Sequence, residues 1–159
     1  MSKLTLYNSL KTDLEAISGI KHVDLWRNQL ERENVENPFL YPAIFIQFMP
    51  SEYRDKGKNG LTQEYDLIVR LHICFESYAD TDTSILTLVD SVFQTVQTKQ
   101  YGYFGKLLRR SEEQDFDHNN VQDYIQDYKT LGHDTVTVDT TTATLTPVLD
   151  TTLNNPDEL

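Results

Sequence analysis

The side chains most capable of chemistry in this 159-residue chain are few and scattered. His72 and Cys74 alternate on one stretch, which as a strand would set them on one face roughly 7 Å apart. A zinc site would need two further ligands, and His22, His118 and His133 stand at no ligand spacing. The pattern therefore predicts a structural His and Cys on a half-buried strand. A nucleophilic Cys–His pair is disfavoured too, because a mid-strand thiol lacks the electropositive, accessible setting that creates thiolates. The run Asp115-Phe116-Asp117-His118-Asn119-Asn120-Val121-Gln122-Asp123-Tyr124-Ile125-Gln126 places oxygen donors at positions one, three, five and nine of a calcium loop. Asn120 replaces the glycine such a loop needs, Gln126 replaces its bidentate glutamate, and no helical pattern flanks it. It reads as a turn rich in Asp and Asn. The six glycines form no phosphate loop, and G-x-S-x-G, H-E-x-x-H and C-x-x-C are missing. The expectation is a protein without catalytic residues, cofactor or metal.

The stretch that positions His72 and Cys74 organises the rest. From Tyr65 onward, Tyr65, Leu67, Val69, Leu71, Ile73 and Phe75 alternate with Asp66, Arg70, His72 and Cys74. A period of two over Leu61–Phe75 predicts a long central strand with one buried and one wetter face. Before it, Leu6, Tyr7, Leu10, Leu14 and Ile17 recur at helical spacing and predict a helix from Ser2 to Ser18, stopped by Gly19. A short strand is expected over Ile20–Arg27, where Trp26 is read as a packing residue. A polar loop, Asn28–Leu40, leads to a strand from Ala43 to Met49 that is apolar on both faces, which predicts helices on one side and a neighbouring subunit on the other. Pro50–Gly60 should then project as a loop bearing Arg54, Lys56 and Lys58. A second helix is expected from Asp80–Thr83 to Thr98 on the stripe Ile85, Leu88, Val89, Val92, Phe93 and Val96, capped by Asp82 or Thr83. Two polar strands, Lys106–Asp115 and Val121–Leu131, read as outer strands. The fold class expected is α+β: a mostly antiparallel sheet of four to five strands with two helices on one face, in the order α-β-β-β-α-β-β. One domain spans residues 1–131. Residues 132–159 form a Thr- and Asp-rich C-terminal arm, with Val136 and Val138 able to add one short strand.

Composition narrows the function. The formal charge is −11, and residues 111–159 hold one Lys or Arg against eleven Asp or Glu. Such a region should not wrap nucleic acid, which needs neutralising cations. No apolar run approaches the roughly 18–20 residues of a membrane span, no signal-peptide pattern opens the chain, and one cysteine fits a reducing cytoplasm.

The element order, with Val23-Asp24-Leu25-Trp26, Asn28-Gln29, Phe39-Leu40-Tyr41-Pro42-Ala43-Ile44-Phe45-Ile46, Gln63–His72, Asp115–His118 and Asp127-Tyr128, resembles the tail-terminator (tail-completion) proteins of long-tailed bacteriophages. The resemblance spans most of residues 1–131 and leaves out the arm. It implies a non-enzymatic virion protein of the tail and neck, assembled in the host cytoplasm. Such a protein forms a ring, usually a hexamer, that caps the tail tube and joins it to a neck or head-completion protein while DNA passes without specific binding. On that reading Tyr53, Arg54, Lys56 and Lys58 dock an adjoining ring, Arg109 and Arg110 pair with acids of a neighbouring subunit, and Asp115, Asp117, Asp123 and Asp127 line the channel. Another neck or head–tail connector protein of similar fold, a non-viral protein-binding module, and a metal enzyme built on His72, Cys74 or the Asp115–Asp123 turn remain as alternatives.

Overall fold

The computed structural model describes residues 3–31, 39–57, 60–76, 81–118 and 121–136, with backbone alone at residues 31 and 116–118. The chain is α+β: two helices and a six-stranded, mostly antiparallel sheet. The elements are α1 (Lys3–Glu15), β1 (His22–Leu25), β2 (Ala43–Phe48), β3 (Tyr53–Asp55), β4 (Thr62–Glu76), α2 (Asp82–Val96), β5 (Leu108–His118) and β6 (Val121–Thr135). A 3-10 turn, Gln29–Glu31, follows β1.

The sheet runs β1-β2-β4-β6-β5, so the expected central strand is central. All 15 residues of β4 pair antiparallel with β6, from Thr62 opposite Thr135 to Glu76 opposite Val121. Strand β6 is therefore an inner strand, and only β5 and β1 are outermost along that path. The outer-strand expectation for β6 failed because its sequence is polar. Its buried polar residues, Asp123, Gln126 and Thr130, are each hydrogen-bonded, and a satisfied polar group can be interior. β1 pairs parallel with β2, the exception in an antiparallel sheet.

Both helices lie on one face. Leu6, Leu10 and Leu14 of α1 and Ile85, Leu88, Val89, Val92 and Val96 of α2 join Tyr65, Leu67, Val69, Leu71, Ile73 and Phe75 of β4 in one core. The α1 chain turns away at Gly19, whose φ of +99° favours glycine. The α2 N-cap is Thr81, whose hydroxyl accepts from the Ser84 amide at 3.3 Å, one residue ahead of the expected caps. The other face of β2 holds a smaller cluster of Ala43, Phe45 and Cys74 under Trp26, Leu30, Phe39 and Tyr41. The second cover expected from a neighbouring subunit is thus supplied by the chain itself.

Strand β6 continues to Thr135, and the Val136 amide donates to the Leu61 carbonyl at 2.8 Å. The expected helix-start residues Ser2 and Asp80 and the expected strand residue Val138 lie outside the described residues.

Candidate assembly surface

The second face of β4 carries the side chains singled out for chemistry. Register places Arg70 opposite Asp127, His72 opposite Ile125 and Cys74 opposite Asp123. Asp123 reaches back between the last two: its Oδ2 lies 2.6 Å from His72 Nδ1 and its Oδ1 accepts from Cys74 Sγ at 3.8 Å. His72 Nε2 is 3.0 Å from Gln47 Oε1, and the Trp26 ring stacks on the imidazole at 4.0 Å with 9° between planes. Burial first, then the Asp123 charge, push the Cys74 thiol well above its ordinary range. A thiol held protonated in this way is a poor nucleophile and a poor metal ligand. Among the described residues, no three His, Cys, Asp or Glu side chains are grouped to hold a metal ion. The cluster ties β2, β4 and β6 to the Trp26 segment.

One step along the strands, Arg70 grips Asp127 through two bonds, Nε to Oδ1 at 2.8 Å and Nη2 to Oδ2 at 2.9 Å. Ser111 Oγ adds a bond to Oδ2 at 3.2 Å. The Arg70 fork holds the Asp127 carboxyl below its ordinary range against the opposing effect of burial. These contacts correct the channel expectation. Asp123 is fully buried and Asp127 is paired to Arg70, so neither offers a free charge to passing DNA. Asp115 faces Asp123 across the β5–β6 register, and the Asp117 side chain lies outside the described residues.

The Pro50–Gly60 segment does not simply project. Its middle forms β3, which pairs with the first turn-proximal residues of β4: Tyr53 opposite Tyr65, Arg54 opposite Glu64, Asp55 opposite Gln63. The Tyr53 ring packs against that of Tyr65, tilted by 38° with centroids 4.5 Å apart, and Lys3 Nζ lies 5.8 Å from the Tyr53 ring centre. Arg54 pairs with Asp66 at 3.6 Å and Lys56 with Glu64 at 3.0 Å. All three remain exposed. Lys58 lies outside the described residues. Lys129 and His133 of β6 complete this end, at 3.0 Å from Asp66 and 3.6 Å from Glu64.

Arg109 and Arg110 sit on β5 at the far edge of the sheet and differ sharply. Arg109 Nη1 donates to Glu112 at 2.8 Å, and its guanidinium lies 3.9 Å over the Phe93 ring. Arg110 falls in the register shift between Arg109 and Ser111, is exposed, and pairs with no acid among the described residues. A bulge of this kind turns one side chain out of the alternation. Leu108 and Leu131, exposed at 40% and 38%, flank Lys129 on the second face. The result is a half-face that no other described residues cover, edged by Arg110 and studded with ion pairs, beside a half covered by the Trp26 segment.

Sequence reasoning placed His72, Cys74 and Arg70 on one face but missed their acids. The signal was present: Asp123 and Asp127 are four apart on β6, as Arg70 and Cys74 are on β4, and an antiparallel register matches the two pairs.

No helix among the described residues is long and apolar enough to cross a membrane. No family model matches the chain, and no curated protein matches it. Its fold is similar to that of a chain in the virion of a native gene transfer agent particle, with a TM-score of 0.51 and 9% identity over 81% of this chain and 95% of that one. What the two chains share is the fold.

Proposed function

We propose that this chain is a structural virion protein of a tailed phage or phage-like particle, and within that class a ring-forming tail terminator. It would cap the tail tube, stop its growth and join it to the head-proximal neck. The observation that carries this reading is the fold shared with a gene transfer agent virion chain across 95% of that chain. The surface supports it. Virion ring subunits meet neighbours on several sides, and this sheet offers a half-face that no other described residues cover, with Leu108 and Leu131 exposed. It also offers a long edge strand with an outward Arg110, and an end where exposed Tyr53, Arg54 and Lys56 stand together. The polar groups at the centre of the sheet serve the fold and carry out no reaction in this proposal.

On this reading Arg110 is the residue that meets an acid of the next subunit, and Tyr53, Arg54, Lys56 and Lys58 meet an adjoining ring. Arg109 acts at one remove, by holding the bulge that presents Arg110. The test is a binding assay of the full chain with purified phage tails, read by electron microscopy. Binding at one end of the tube supports a terminator. Binding to isolated heads or necks and not to tails would assign the chain to the neck instead.

A further inference from the structure

The chain has one tryptophan and one cysteine, and both stand at the His72–Asp123 pair. Asp123 meets Cys74 Sγ at Oδ1 and His72 Nδ1 at Oδ2, so a carboxylate accepts on both sides and Nδ1 carries a hydrogen. Across the ring, Nε2 faces Gln47 Oε1 at 3.0 Å, an atom that can only accept. A ring that donates at both nitrogens is an imidazolium. The burial agrees with that charge. Asp123 is fully buried, both bonds of the Arg70 fork are committed to Asp127, and a buried carboxylate needs a countercharge. Trp26 lies flat on the same ring, 4.0 Å away, where an indole face attracts a cation.

The titratable groups nearest the ring are held in one state. Asp127 on β6 is kept ionised by Arg70 of β4. Burial, then the Asp123 charge, keep the Cys74 thiol protonated. Burial first, then Cys74 and Glu76, push the Tyr41 phenol up to about 12. Farther out, Glu113 of β5 pairs with Arg70 at 3.7 Å, Asp115 lies one strand beyond Asp123, and Arg27, beside Trp26, is exposed. Gln47, from β2, is uncharged. Loss of one ring hydrogen would leave the Asp123 carboxylate buried without its countercharge. It would also set the Nε2 lone pair against Gln47 Oε1 and take the cation from under Trp26. Each change favours water at the ring, and the half-buried Trp26 is what keeps water from that face.

We propose that the His72 proton is a latch for the Trp26 cover. The cover is closed while both ring nitrogens carry hydrogen, and it lifts from His72 and Cys74 when rising pH removes one. The apolar cluster of Ala43, Phe45 and Cys74 is then open on its Trp26 side. The device lies within one chain and does not depend on the ring reading.

The test follows Trp26 emission of the full chain from about pH 5 to about pH 10. Beside it runs the rate at which Cys74 reacts with a small disulfide reagent, relative to glutathione at the same pH. The emission should change in one step as the cation leaves the indole face, and Cys74 should lose its protection across that step. Gln47→Glu puts a carboxylate against Nε2 and should raise the midpoint by about one to three pH units. Gln47→Leu removes the acceptor and should lower it by about one unit. Gln47 is half-buried, so both variants should fold. His72→Gln should abolish the step. A contact that only fills space gives no step, or the same midpoint in the native chain and both Gln47 variants, and either result would overturn the proposal. So would a step through which Cys74 stays protected, or one that survives in His72→Gln.

Discussion

At the scale of single residues, the structure depends on close fits that composition does not display. Gly132 lies under the Tyr65 ring, where an added Cβ would come within 2.5 Å of Cζ. Gly132→Ala must displace a tyrosine that is 1% exposed, and should destabilise the fold by about 1–3 kcal/mol in chemical unfolding. Arg70 and Asp127 are 25% and 15% exposed. Arg70→Met leaves the carboxylate without its fork and should cost about 1.5–3 kcal/mol. Because Arg70 depresses the folded-state value of Asp127, the pair stabilises fully above the ordinary carboxylate range near 3.8. That contribution is lost as pH falls through the depressed folded value. Unfolding midpoints followed from pH 6 to pH 2 should therefore fall less steeply for Asp127→Asn than for the native chain; an equal slope would contradict the assignment. The sequence displayed Arg70, His72 and Cys74 as one face, yet not Asp123 and Asp127 as their partners, because that pairing requires the β4–β6 register.

At the scale of elements, period and apolarity were sufficient where burial is apolar. The α1 stripe of Leu6, Leu10 and Leu14 and the α2 stripe from Ile85 to Val96 both pack as their spacing implies. Strand β4 is central for the same reason. They were insufficient where burial is polar: β6 reads as a surface strand, but Asp123, Gln126 and Thr130 bring partners with them. Likewise β2 is apolar on both faces because Trp26, Leu30, Phe39 and Tyr41 fold back over it, a local cover that alternation alone cannot distinguish from another subunit. The edge strand β5 gives a prediction at this scale. Its charges and its bulge discourage uncontrolled pairing of the free edge. Arg109→Glu loses the Glu112 pair and the Phe93 contact and should cost about 1 kcal/mol of stability. Arg110→Glu should change stability by less than about 0.5 kcal/mol, and on the proposed reading should still abolish self-association. A fully stable Arg110→Glu variant that assembles normally would remove Arg110 from the interface.

At the scale of the whole molecule, the charge of −11 is only partly a surface property. Fourteen acids precede residue 111 against thirteen bases, so the excess is in the last third of the chain. Within that third, Asp123 is buried against His72 and Asp127 is paired with Arg70, whereas residues 137–159 contain four acids and no Lys or Arg. Residues 137–159 therefore carry −4 of that charge. The fold is similar to that of a gene transfer agent virion chain, and on the proposed reading the half-face left uncovered by the described residues and the bulged edge meet copies of the same chain. Self-assembly into a closed ring is the central claim. Its most direct measurement is the mass of the full chain by light scattering across a concentration range, with negative-stain images of the same samples and of the chain mixed with purified tail tubes. The account predicts closed rings of about six copies, free or seated on a tube end. A single small mass at every concentration, with tubes left uncapped, would contradict it.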